Sequence, residues 1–380
     1  MHIIYLHKQF PCGGAEKATM DIANYLCAHG HRVSVLVSRH VPSDYPQGMP
    51  RLYDVVQLPE GNLRHSRRVE QFVADFCRKE SVDVLVSYRQ LLYMGRLKRQ
   101  TGAKAVYVHH SMPFHELLAI EDQKERSRGL RLFYALGPGW LMEQFYVRKY
   151  QSIYRWADAF GVLCEGFWPP FAERLHRSLS DAKMHVLPNC VTLPEHVVRE
   201  KQRTIVFVGR LTHRDKRVDR LLRIWKTSAP QLPEWTLKIV GDGKERANLE
   251  QMAAELSLER VCFEGFSADV KRYYDEASVL CMTSTFEGWP LSVAEAQANG
   301  VVPVLFNSFA GAEDLVAHAM EGVLIAPFDE AAYSAALVDL CADEPRLKAM
   351  QEAVLRKAQH YTIERTGQAW TEMLDRLTDR

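Results

Sequence analysis

Two glutamates eight residues apart, Glu287 and Glu295, stand where chemistry could be done. The apolar run Val279–Met282 predicts a strand, and Pro290 suits the first position of a helix, where a missing N–H costs nothing. Glu287 then lies on the loop leaving the strand and Glu295 lies inside the helix. Open α/β sheets bind ligands at this strand-to-helix edge. A carboxylate accepts hydrogen bonds from sugar hydroxyls, and helix N-terminal amides hold phosphate. Both together suit a nucleotide sugar. Ser292, Glu295 and Asn299 fall at i, i+3 and i+7 and share a helix face, which could simply be solvated. Against that bland reading, Phe286, Trp289, Leu291 and Val293 are a large apolar load for an exposed loop.

Three further constellations could serve the same ligand. Pro11-Cys-Gly-Gly-Ala-Glu-Lys17 follows the first strand pattern and opens the first helix. Its Gly13 and Gly14 allow close backbone approach and leave N–H groups for an anion, although a tight turn also wants glycine. It is not a Walker A loop, and neither it nor Gly241-Asp-Gly243, with Arg246 at the third position, is a dinucleotide fingerprint. Val208–Lys216 follows the first strand of the second half. There Gly209, Arg210 and Lys216 could meet a diphosphate, the arginine as a planar fork and the lysine as a compact cation, unless this is only a solvated basic loop crowded by Arg214 and Arg217. Tyr107–Ser111 puts His109 and His110 at the end of a strand pattern, where one histidine can reach a crevice while the other is structural.

The elements that must position these residues alternate along the whole chain. Strand patterns are expected at His2–Leu6, Arg32–Val37, Val82–Val86, Ala105–Val108, Ala159–Leu163 and Met184–Leu187 in the first half. The second half offers Thr204–Val208, Thr236–Val240, Val261–Glu264, Val279–Met282, Val302–Leu305 and Val323–Ile325. Helical patterns such as Ala15–Cys27, Glu245–Leu256 and Ala331–Cys341 lie between them. Such alternation implies an α/β protein of parallel, doubly wound sheets. Two sets of strands in 380 residues suggest two similar domains, with Pro188–Pro194 as linker.

Composition adds exclusions. Apolar residues at 47% and charged residues at 25% are ordinary for a soluble globular protein. A net charge of +1 does not suggest nucleic acid. The start of the chain lacks the layout of a signal peptide, and no apolar run is long enough to span a bilayer. Eight scattered cysteines without a Cys-x-x-Cys pair fit a reducing, cytoplasmic setting. The stretch 121–150 mixes six cations with Phe133, Tyr134, Trp140, Phe145 and other apolar residues. It reads either as an ordinary amphipathic excursion or as a surface for anionic lipid or a lipid-linked acceptor.

In order and context these pieces resemble the retaining GT-B glycosyltransferases, specifically family 4, typified by bacterial polysaccharide and lipopolysaccharide enzymes. The resemblance is strongest from Thr204 to Ala326. It implies two Rossmann-like domains facing a deep cleft: an acceptor-binding domain at 1–190, a nucleotide-sugar domain at 195–360, and a helix at 361–380 returning to the first. It also implies transfer of a sugar from a UDP- or GDP-type donor to a glycan or lipid-linked glycan, in cell-surface polysaccharide synthesis, by an enzyme either free in the cytoplasm or peripheral on the inner face of the plasma membrane. By the same resemblance Glu287 would contact the donor sugar. Gly288, Trp289, Leu291 and Ser292 would surround sugar and phosphates through their amides, and Glu295 would hold the ribose. Arg210 and Lys216 would neutralise the leaving diphosphate beside Gly209, and Gly13 and Gly14 would lie against the phosphates. The base would sit near Phe266, and His109 rather than His110 would match the family's active-site histidine. Arg217 stands where the family often has glycine, and Cys190 where glycine follows Pro-Asn.

The chain has no Asp-x-Asp, so a metal is not implied; preorganised cations can stabilise the leaving charge instead. Two alternatives share the frame: a nucleotide-sugar epimerase and a non-catalytic nucleotide-sugar-binding protein. A dehydrogenase is disfavoured by the missing glycine fingerprint.

Overall fold

The computed structural model describes residues 1–11, 13–41, 51–117 and 138–379. The chain divides into two compact units, Met1–Asn189 with Ile363–Arg380 and Cys190–Thr362. In unit 1 the order is β1 (His2–Phe10), α1 (Gly14–Ala28), β2 (Arg32–His40), β3 (Asp54–Gln57), α2 (Arg67–Lys79), β4 (Val84–Ser87), α3 (Met94–Thr101), β5 (Lys104–His109), α4 (Pro138–Trp156), β6 (Ala159–Val162), α5 (Trp168–Leu175) and β7 (Met184–Val186). The strands form one sheet, β3-β2-β1-β4-β5-β6-β7, parallel throughout.

Unit 2 repeats the plan with β8 (Thr204–Val208), α6 (Val218–Ser228), β9 (Thr236–Val240), α7 (Arg246–Glu255), β10 (Val261–Gly265), α8 (Lys271–Glu276), β11 (Val279–Met282), α9 (Leu291–Ala298), β12 (Val302–Phe306), α10 (Ala312–Leu315), β13 (Val323–Ile325), α11 (Glu330–Ala342) and α12 (Glu344–Ala358). Its sheet runs β10-β9-β8-β11-β12-β13, again parallel. Both sheets therefore reverse their order beside their first strand: between β1 and β4, and between β8 and β11. Ligands of open α/β sheets bind at such switch points.

The central strands are buried on both faces, which is why they read as continuous apolar runs rather than alternating ones. Helix starts are marked by side chains that accept otherwise unpaired amides: Ser66 from Val69, Asp329 from Ala332 and Asp343 from Arg346. The last helix, α13 (Ile363–Thr378), belongs to unit 1. It packs on α1 and buries Trp370, Met373 and Leu374, with the Trp370 ring 6.0 Å from that of Tyr5. Strand β3 escapes the sequence reading because it is a four-residue edge strand with no buried position. The first part of the 121–150 stretch lies outside the described residues; from 138 onward it is α4. Among the described residues no helix is long and apolar enough to cross a membrane. The seven described cysteines are free thiols.

Candidate functional site

At the switch point of unit 2, two loops are sewn together. The loop after β8 carries Arg210 to Arg217, and the loop after β11 carries Thr283 to Pro290. The Thr285 amide donates to the Asp215 carbonyl at 2.7 Å, and the Thr283 hydroxyl donates to the Arg217 carbonyl at 3.0 Å. Arg220 reaches from α6 to Thr285 Oγ1 at 3.3 Å, with its guanidinium 4.1 Å from the Phe328 ring centre. A third loop comes close behind. Gly241 has φ +136, and a β-carbon there would stand 1.9 Å from the Gly209 carbonyl oxygen, so only glycine lets the two backbones meet.

Glu287 and Lys216 meet on this frame. Lys216 Nζ donates to Glu287 Oε1 at 2.7 Å, and the Ser284 hydroxyl donates to the same oxygen at 2.6 Å. Both charged side chains are mostly buried, at 15% and 12% exposure. The ammonium therefore has a fixed position and one acceptor, with further N–H bonds to offer. Arg210 is exposed and has no ion-pair partner among the described residues, leaving its fork available. Arg217, where the family often has glycine, takes a left-handed φ of +49 and braces itself on Asp219 with two bonds of 2.9 and 3.0 Å. Burial pushes the Asp219 carboxyl up, but the bond from Arg217 together with the charges of Arg217 and Arg223 outweighs it and holds the group below its usual range.

Helix α9 begins at Leu291, after Pro290, and presents its first turn beside Gly288 and Trp289. Trp289 is buried against Tyr361, ring centres 5.1 Å apart, so its side chain is structural. Glu295 accepts from the Tyr274 phenol at 3.3 Å. Asn299 is the C-terminal cap of α9, donating to the Glu295 carbonyl at 2.8 Å. Phe266 is 79% exposed just after β10. Ser284, Asp215, Arg220 and Tyr274 are the supports that spacing alone did not reveal. Among the described residues no group of three or more His, Cys, Asp and Glu gathers as metal ligands do.

In unit 1, Gly13 precedes α1 with φ +107, and Gly14 opens the helix. The two histidines after β5 part company. His109 is 2% exposed and sits edge-on to Tyr150 and Phe171, with Nδ1 3.1 Å from the Tyr107 hydroxyl. Its Nε2 faces the Met112 carbonyl at 3.3 Å. It packs inside the unit among these rings. The reason is the pleat: successive strand residues point to opposite faces, and Tyr107 and His109 share the one covered by α4 and α5. His110 turns to the other face and stacks on Tyr88, ring centres 4.0 Å apart, on the side where His7 and Thr19 of α1 meet. Burial pushes both imidazoles down to about 3, with neighbouring His7 adding to the effect on His110.

The comparisons agree with this architecture. Residues 12–194 match the model for Glycosyltransferase Family 4, and residues 192–357 match that for Glycosyl transferases group 1. An uncharacterised glycosyltransferase of Haemophilus influenzae is 34% identical over 319 residues, 82% of each chain. An α-1,4-N-acetyl-D-galactosaminyltransferase of Campylobacter jejuni, whose named substrate is a diphospho-undecaprenol glycan, is 24% identical over 98% of each chain. Among solved structures, WaaG, a glycosyltransferase of lipopolysaccharide biosynthesis, superposes over the full length of both chains with a TM-score of 0.72 at 19% identity. HepE of Anabaena, solved with UDP-glucose, does so with a TM-score of 0.76 at 18% identity. With both half-chain models matched in order, and a relative a third identical over most of its length, this chain belongs to the glycosyltransferases of the GT-B fold.

Proposed function

We propose that the protein moves a sugar from a UDP- or GDP-type nucleotide sugar to a glycan or lipid-linked glycan, with retention of configuration and without a metal. The observation that carries this is the Lys216–Glu287 pair at 2.7 Å, which joins the loop that carries Arg210 to the loop that leads into α9. Cleaving the bond between sugar and diphosphate puts negative charge on the leaving oxygen and positive character on the ring. Arg210 and Lys216 hold permanent charge for the former, and preorganised charge of this kind is often the largest catalytic term. Glu287, already bound to Lys216 and Ser284, keeps its other oxygen for a sugar hydroxyl. Glu295 would take the ribose. The leaving phosphate would accept the acceptor hydroxyl's proton as the new bond forms on the face the diphosphate leaves, so no covalent sugar–protein bond is required.

Relatives support the substrate classes. The Campylobacter jejuni enzyme's name specifies an undecaprenyl-linked acceptor, and HepE was solved with UDP-glucose. A cytoplasmic location with peripheral membrane contact fits such an acceptor. Helix α4 exposes Trp140, Leu141 and Phe145 together with Arg148 and Arg155, an apolar end followed by a basic one. Co-sedimentation with anionic vesicles at low salt tests that contact; protein remaining in the supernatant refutes it.

The donor is tested by melting the protein with UDP, GDP, ADP, their hexose conjugates and NAD. Binding to the native state raises Tm. A UDP or GDP compound should give the largest rise. A rise with NAD alone would overturn the reading, and conversion of the nucleotide sugar into an isomer without acceptor would favour an epimerase.

A further inference from the structure

The switch point of unit 1 contains a network that diphosphate chemistry does not explain. Tyr88 follows β4 directly, beside β1 and β5. Its ring lies against His110 at 4.0 Å and 41°, and edge-on to His7 at 5.3 Å and 86°. Its hydroxyl is 3.1 Å from Thr19 Oγ1. Thr19 is wholly buried and also bonds His7 Nε2 at 2.9 Å and the Ala15 carbonyl at 3.1 Å. His7 Nδ1 in turn faces Glu16 Oε1 at 3.5 Å. Glu16 folds back over the glycine turn, where a β-carbon on Gly13 would stand 2.8 Å from Glu16 Oε2. The ring that touches His110 is thus tied, through one buried hydroxyl, to the helix that carries Gly13 and Gly14.

A histidine ring has a broad, roughly two-fold torsional preference about its last bond. What it offers a ligand depends on which nitrogen faces out and in which plane. A neighbouring aromatic face restricts that plane. We propose that Tyr88 is the positioning residue for His110, fixing the orientation of its imidazole at the unit 1 edge through the Thr19–His7 network. The inference rests on the reading above in one respect: His110 must belong to the transfer site.

The test compares His110→Ala, Tyr88→Ala, Tyr88→Phe and the double variant Tyr88→Ala/His110→Ala. The rate measured is diphosphate release from whichever nucleotide hexose raises Tm most. His110→Ala should lower kcat by about 10²-fold, the low end of the range for a positioned side chain acting on a proton. Tyr88→Ala should approach that loss with donor KM little changed, and Tyr88→Phe, which keeps the ring, should lose about threefold. Groups acting as one unit are non-additive, so the double variant should be no slower than His110→Ala alone. Multiplying losses, or an unchanged kcat in Tyr88→Ala, would overturn the positioning role while leaving the transferase reading intact. An unchanged kcat in His110→Ala would remove both His110 and Tyr88 from the mechanism. Should Tyr88→Ala not fold, Tyr88→Leu, apolar and of closer size, replaces it with the same expectations.

Discussion

The two switch points are built on one plan and furnished oppositely. In unit 2 the edge is ionic: Lys216 on Glu287, Arg217 on Asp219, and Arg210 exposed nearby. In unit 1 the edge is chiefly aromatic, with His7, Tyr88 and His110 packed ring against ring, the Glu16 carboxylate facing His7, and the two histidines after β5 held uncharged by burial. A departing diphosphate needs charge that is present before the reaction begins. An acceptor hydroxyl needs hydrogen bonds and shape more than charge. Sheets of the same topology can supply either, because the switch point fixes only where loops converge and leaves their side chains free.

The comparison can be broken at its ionic side first. Lys216→Ala should lower kcat by about 10²- to 10³-fold, as loss of one preorganised donor does. It should also lower Tm, because Glu287 loses its cation while remaining mostly buried. Arg210→Ala should cost activity without moving Tm, since its side chain is exposed and unpaired within the unit. Kinetics and melting on the two variants separate these roles, and equal Tm losses would contradict the distinction.

The aromatic side is sharpened by acid. His109 and His110 titrate near 3 when folded against about 6.5 when unfolded, so the unfolded state binds more protons between those values. Their contribution is intact above about pH 6.5 and is lost as pH falls towards 3, by at most about 1.4 kcal/mol per unit for each group. Denaturant titrations between pH 8 and 5 should show stability falling on the acid side, and His109→Phe should flatten the slope. A slope unchanged by that substitution would mean His109 is not the source.

The smallest effect should come from Arg217→Gly. Glycine relieves a left-handed backbone worth about 1 kcal/mol. It also gives up the mostly buried Asp219 pair, but Arg223 still meets that carboxylate at 3.3 Å, so Tm should move little. A large fall would show that the arginine has a role beyond its brace.

The doubly wound fold was legible because parallel strands buried on both faces announce themselves as short apolar runs. Strands β8, β9, β11 and β13 begin and end where the sequence places them. The same feature hid the parity of β5. A run such as Ala105-Val-Tyr-Val has no polar face to show which way the next residue turns, so nothing in it separated His109 from His110. The ionic edge was legible only as a set of residue types. Lys216 and Glu287 lie 71 positions apart, and no spacing rule pairs them. Tyr88 went unnoticed because a tyrosine after a strand carries no motif; its meaning comes from the histidine it covers. Edge strand β3, short and half exposed, lacked the apolar signal altogether.

The helix α13 has a consequence for how the molecule is made. It completes unit 1, burying Trp370 against Tyr5 of the first strand, yet the whole of Cys190–Thr362 is made between it and the rest of that unit. Domains ordinarily finish folding in the order they are synthesised. Here the second unit, Cys190–Thr362, is continuous and can close first, while β1 and α1 wait for α13. A chain stalled near residue 362 would carry a finished second unit and an open apolar seam on α1. Premature termination would therefore deliver an exposed, sticky intermediate rather than a working half-enzyme.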